Sequence, residues 1–211
     1  MAKQWIIVVL AGALLTLPGG CGLSRPSPHV SADLGSPKAA ALTFLRAISA
    51  GDVETAKSAS VGTKEEVAAV EAFSTLITGL REYDKALTSH FSTEAVQTDT
   101  QIRQAITDLL EISIGHAENA IVNEGPERAS VEPAAGGIRL KARPPIYLRK
   151  EKDGWKVDLE ATSQVDHRFS PATAEQFSTA GKALHQAARQ VNAGRYKSLA
   201  EAQKDTDAAV P

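Results

Sequence analysis

The chain has 211 residues, 43% of them hydrophobic and 23% charged, enough for one domain with a proper core and too little for two of ordinary size. A formal charge of −2 and a pI near 6.2 give no overall pull towards nucleic acid or anionic lipid, since phosphate binding draws on a concentrated excess of Lys and Arg. The single cysteine, Cys21, excludes an intrachain disulfide and a cysteine-built metal cluster.

At the N-terminus, Lys3 precedes an uncharged apolar run from Trp5 to Leu17, followed by Pro18-Gly19-Gly20-Cys21. A positive start, a short apolar core and small residues before a break read as a secretory signal over residues 1–21, because a spanning helix needs about 20 apolar residues. The ending Gly-Gly-Cys resembles a bacterial lipobox, in which Cys21 becomes the lipidated first residue of the mature protein; Pro18 stands where that pattern usually has an aliphatic residue. The other reading is an ordinary signal with an incidental cysteine. The lipobox resemblance implies export to the bacterial cell envelope and a lipid anchor, with acyl chains enough for stable membrane attachment. Gly22 in place of Asp after the cysteine points to the outer membrane, facing the periplasm. Residues 22–35 are polar, carry two prolines and show no period, which reads as a flexible tether.

Ser36-Pro37 supplies an N-cap followed by proline at the first helical position. Ala41, Phe44, Leu45 and Ile48 then recur at helical spacing up to Gly51, which suits a left-handed C-terminal position. Asp52 caps a shorter helix, and Thr63 with Glu66 forms a capping box. The long helix that follows carries an apolar stripe from Val67 to Phe91, interrupted by Gly79, which costs about 1 kcal/mol relative to alanine and predicts a kink or a close helix contact. A further helix is expected over about 100–114, closed by Gly115. Tyr83, Asp84 and His90 share a helical face and form one conceivable acid–base grouping; the plainer reading makes Tyr83 a core-edge residue and His90 a solvated one near the helix end. His116 and His167 read as isolated loop histidines.

From Ala117 the period falls towards two. Ala117–Asn123 and Arg128–Glu132 read as a first hairpin turning at Glu124-Gly125-Pro126, and Ile138, Leu140 and Ala142 alternate with Arg139, Lys141 and Arg143 as a half-buried strand. The strongest hairpin signal is Pro145–Leu159, with Asp153-Gly154 as a type I′ turn. That turn would pair Lys152 with Trp155, Lys150 with Val157 and Leu148 with Leu159 on one face, and Arg149 with Asp158 and Glu151 with Lys156 on the other. Ser170-Pro171 then opens an alanine-rich amphipathic helix ending near Gly194, followed by a second helix over about 197–208. That arm can pack on its own domain or on a second copy.

Three phrases, Pro37–Glu54, the short helix after it and Lys152-Asp-Gly-Trp-Lys-Val-Asp-Leu159, resemble the nuclear transport factor 2-like superfamily, in particular its exported bacterial lipoproteins. The resemblance covers roughly 36–162. It implies an α+β fold with N-terminal helices on a curved antiparallel meander of four to five strands, often around an apolar pocket, with the helical extension over 163–211 added. In the cyclase and isomerase members of that superfamily an Asp or His does acid–base work in the pocket.

No nucleotide-loop, dinucleotide, zinc-protease or nucleophile-elbow motif occurs in the sequence. The inward positions of the expected strands hold no carboxylate or imidazole, which a proton-transfer enzyme requires. The reading that follows is a lipid-anchored, non-enzymatic binding or interaction module, with no cofactor, no metal and no nucleic acid, partnered by the membrane and by an envelope protein or a cell-wall polymer. The competing reading is a small-molecule pocket enzyme of the cyclase or isomerase type. Arg139, Lys141 and Arg143 offer a basic docking face for an acidic partner, against the plainer reading of a solvated strand face that blocks aggregation.

Overall fold

The computed structural model describes residues 30–91, 113–141 and 143–209. The expected lipidation site Cys21, the signal segment and most of the helix expected over 100–114 lie outside them. The protein is α+β, with helices at both ends of the chain and a five-stranded sheet between them.

Helix α1 (Pro37–Ala50) starts as its cap predicts, with Ser36 Oγ accepting from the Ala39 N–H at 3.2 Å. It ends at Gly51, φ 75°, in a full Schellman motif: the Gly51 N–H donates to Ile48 O and the Asp52 N–H to Ala47 O. Asp52 then caps α2 (Val53–Ser58) by accepting from the Thr55 N–H and hydroxyl. A short strand β1 (Ser60–Val61) leads to α3 (Lys64–His90), whose capping box is complete: Glu66 N–H donates to Thr63 Oγ1 and Thr63 N–H to Glu66 Oε2. Residues 113–118 are helical, so Gly115 lies inside a helix and does not close one.

Strands β2 (Ile121–Glu124) and β3 (Arg128–Glu132) form the first hairpin; Ala117, expected in that strand, belongs to the preceding helical turn. The half-buried strand expected at 138–143 is absent. Instead β4 (Ala134–Ala135) and β5 (Ile138–Arg139) make a separate two-residue ribbon on which Ile138 is 73% exposed. Pro133, Pro144 and Pro145 explain this, since none can donate to a ladder. The chain leaves the sheet at the first of them and rejoins it after the last, so β3 pairs directly with β6 (Ile146–Glu151), Val131 opposite Ile146.

The late hairpin of β6 and β7 (Gly154–Asp158) forms with a register different from the expected one. Leu148 faces Val157, Lys150 faces Trp155 and Glu151 faces Gly154, leaving Lys152-Asp153 as the loop. No non-glycine described residue has positive φ, which excludes a type I′ turn at Asp153-Gly154; in this hairpin only Gly154 takes it, at 127°. The reason lies upstream. The Leu34 carbonyl accepts the Trp155 N–H at 2.8 Å, and a Cβ on Gly154 would stand 2.5 Å from that same oxygen. The displacement is an even number of residues, so the inward set survives: Ile146, Leu148, Trp155 and Val157 are all buried. Leu159 instead enters a short helix α4 (Leu159–Ser163) capped by Asp158. The charged pairs also change, with Arg149 meeting Glu151 at 2.9 Å and Lys156 meeting Asp153 at 2.8 Å.

The strand order is β1-β7-β6-β3-β2, an antiparallel meander to which β1 adds a parallel edge. Helix α1 lies on the sheet, filling the space with Phe44, Leu45 and Ile48 against Val131, Leu148 and Val157. Beyond it runs α3, paired with α5 (Pro171–Asn192). Their contacts climb both helices together, Phe73 with Phe177, Gly79 with Gly181, Glu82 with His185, so the two run in the same direction. Gly79 marks the close helix contact: a Cβ there would lie 2.7 Å from Gly181 O, and one on Gly181 would lie 2.8 Å from the Leu76 nitrogen. Helix α6 (Leu199–Ala209) folds back, and Thr206 donates to the Tyr83 hydroxyl at 2.9 Å. Residues on both sides of position 162 thus share one core, which answers the question of where the C-terminal arm packs.

Candidate functional site

Between α4 and α5 the chain makes a single 3-10 turn, His167–Phe169. It is built by Asp166, whose carboxylate accepts from the Arg168 backbone N–H at 3.2 Å and from the Arg168 side chain through Nε (2.9 Å) and Nη2 (2.6 Å). The turn thrusts Phe169 inward, where it is 1% exposed and meets Phe44 at 5.3 Å and Phe73 edge-on at 5.8 Å. Two consecutive side chains therefore part company, the ring into the core and the guanidinium back over it, 5.6 Å from the ring centroid.

Over this turn lies a cavity of about 20 Å³, open to solvent on one side. Its polar lining is Ser113, His116, Arg143, Asp166 and Arg168; Leu45, Val131, Ile146 and Phe169 form much of the rest. The proline-bounded departure from the sheet delivers Arg143, and helical residues 113–118 deliver His116. His116 Nδ1 is buried and has no hydrogen-bond partner. Asp166 is 7% exposed, and both its oxygens are engaged by Arg168, so it acts as an anchor for the guanidinium. The volume admits about one water-sized group.

Of the groups singled out in the sequence, His116 reaches this cavity, and it does so from a helix and not a loop. Tyr83 is fully buried and bonded to Thr206, His90 lies exposed at the end of α3 beside Phe91, and neither these nor Asp84 lines the cavity. His167 is exposed. Arg139, Lys141 and Arg143 do not form one stripe: Arg139 pairs with Glu132 at 3.0 Å, Lys141 is exposed, and Arg143 turns to the cavity. Asp166 and Arg168 were missed by sequence reasoning. The available signal was an Asp two residues before an Arg just ahead of the Ser-Pro cap, a spacing at which an Asp side chain folds back on its own backbone.

A second polar grouping joins α3 to α5. His185 is half-buried, with Nδ1 2.7 Å from Glu82 and Nε2 3.3 Å from Thr78 Oγ1. The Thr78 hydroxyl is already within 3.0 Å of the Ser74 carbonyl one turn back, so the trio reads as an interhelical clasp.

Among the described residues no group of three His, Cys, Asp or Glu is placed to hold a metal ion, and no helix is long and apolar enough to cross a membrane. No family model matches the chain, and neither a curated protein nor a solved structure is detectably similar to it.

Proposed function

We propose that this chain is a lipid-anchored protein of the bacterial cell envelope, of the nuclear transport factor 2-like kind, that works as a binding module through the cavity over Phe169. The observation that carries the binding reading is the fixed Asp166–Arg168 pair on its wall, 2.6 Å at its shortest, which supplies a rigid donor surface without a free carboxylate to take up a proton. Support for the superfamily comes from the order of the fold, N-terminal helices first and then an antiparallel meander covered by α1. Support for the anchor comes from the Gly-Gly-Cys21 ending of the apolar leader.

Metabolic labelling with a clickable fatty acid tests the anchor. The label is expected on the wild type and absent from Cys21→Ser, which should leave the membrane fraction; an unlabelled wild type would remove the anchor from the reading. The second reading, a cyclase or isomerase, would rest on His116 as the acid–base group, since its Nδ1 is free of protein partners. A cavity of about 20 Å³ leaves a substrate mostly outside the walls, where water competes for the proton.

A further inference from the structure

The cavity carries more donors than acceptors. Asp166 balances Arg168, but the side chain of Arg143, on the same cavity, has no hydrogen-bond or ion-pair partner among the described residues. Nor does His116 Nδ1. A guanidinium keeps its charge at all working pH values, and polar groups left unpaired away from water are costly enough that most find a partner. One half-buried cation therefore lines a small space without an acceptor from the described residues, while His116 Nδ1 is closed off within the fold.

We infer that this cavity takes the carboxylate group of a small ligand, with Arg143 as the countercharge and the Arg168 guanidinium, held by Asp166, as a fixed edge. The inference rests on the binding-module reading above and names the ligand chemistry of the same site. A carboxylate fits better than a phosphate for two reasons. About 20 Å³ has room for the edge of a flat group and not for a tetrahedral one, and much of the wall, Leu45, Val131, Ile146 and Phe169, offers a phosphate's further oxygens no donor. A planar carboxylate also matches the edge of a guanidinium with two parallel hydrogen bonds.

The test titrates the full-length protein, in neutral detergent at constant ionic strength, with acetate, isosteric acetamide and inorganic phosphate, while NMR follows the His116 ring. Acetate is expected to give a saturable shift, and Arg143→Gln to weaken it about tenfold or more without changing the melting temperature. Arg143→Lys, which keeps the charge and loses the paired edge, should fall between the two. Equal acetate affinity in wild type and Arg143→Gln, or no saturable acetate shift, overturns the inference, and phosphate binding more tightly than acetate overturns the choice of carboxylate. If acetamide saturates the shift and acetate does not, the carboxylate falls while the binding cavity stands. If none of the three probes binds, the binding reading falls with it.

Discussion

The α3–α5 crossing and the cavity over Phe169 meet the same physical requirement in opposite ways. At the crossing, glycines bring two backbones so close that a methyl group on either would stand 2.7–2.8 Å from the other helix; polar atoms there are used up within the helices or in the His185 clasp. At the cavity, prolines hold the chain off the sheet, and an arginine is left facing space. Close packing completes the first region, and pairing is left incomplete in the second.

Phe169 belongs to both regions, so its removal is the largest perturbation expected. Phe169→Ala takes away the ring shared by Phe44 and Phe73 and should cost about 3–5 kcal/mol in urea unfolding. A loss below about 1.5 kcal/mol would mean that the cavity floor yields freely and that the two regions are not mechanically joined.

The crossing itself is probed by glycine pairs. Gly181→Ala gains helix propensity but drives a Cβ into the Thr75–Leu76 backbone, and the expected net loss is about 1–3 kcal/mol. Gly115→Ala, in a helical segment where a Cβ meets nothing within 4 Å, should instead gain up to about 1 kcal/mol. Equal effects at the two positions would show that propensity, not backbone approach, governs the crossing.

What the sequence made legible divides along the same line. Caps and period are local, so α1, α2, α3 and the start of α5 sit where Ser36-Pro37, Asp52, the Thr63–Glu66 box and Ser170-Pro171 place them. Gly79 announced a close contact but not its partner, because Gly181 lies a hundred residues on and nothing local ties the two. The hairpin register failed for a related reason: Leu34, far away in sequence, claims the Trp155 N–H and moves the positive-φ position out of the turn. At 138–143 alternation imitated a strand while the flanking prolines withheld the ladder. The cavity was the least legible part, since its ionisable groups come from 116, 143, 166 and 168, and only their meeting over Phe169 gives them meaning.

The C-terminal end of the helix pair gives a pH-dependent test. Tyr196 is buried, and its hydroxyl donates to Asp205 at 2.6 Å and to Gln190. Burial first, then the hydrogen bond and charge of Asp205, push its pKa up from 10.0 to about 12. The neutral hydroxyl is the form that the fold favours, so its contribution is whole below pH 10 and is lost as pH rises towards about 12, at roughly 1.4 kcal/mol per pH unit. Tyr196→Phe should flatten that stretch of the stability curve, and an unchanged slope would place the alkaline loss elsewhere.

The smallest expected effect is the most telling for the contrast. Arg143 has no protein partner among the described residues, so Arg143→Gln should leave unfolding free energy within about 0.5 kcal/mol of wild type, as surface changes without partners do. Arg168 differs because a buried carboxylate depends on it, and its removal strands that charge. If Arg143→Gln destabilised the protein as Arg168→Gln does, Arg143 would be a structural cation whose pairing belongs to the fold, and the cavity would be as closed a piece of packing as the glycine crossing. If stability holds while the His116 ring loses its response to acetate, Arg143 serves the ligand and not the fold.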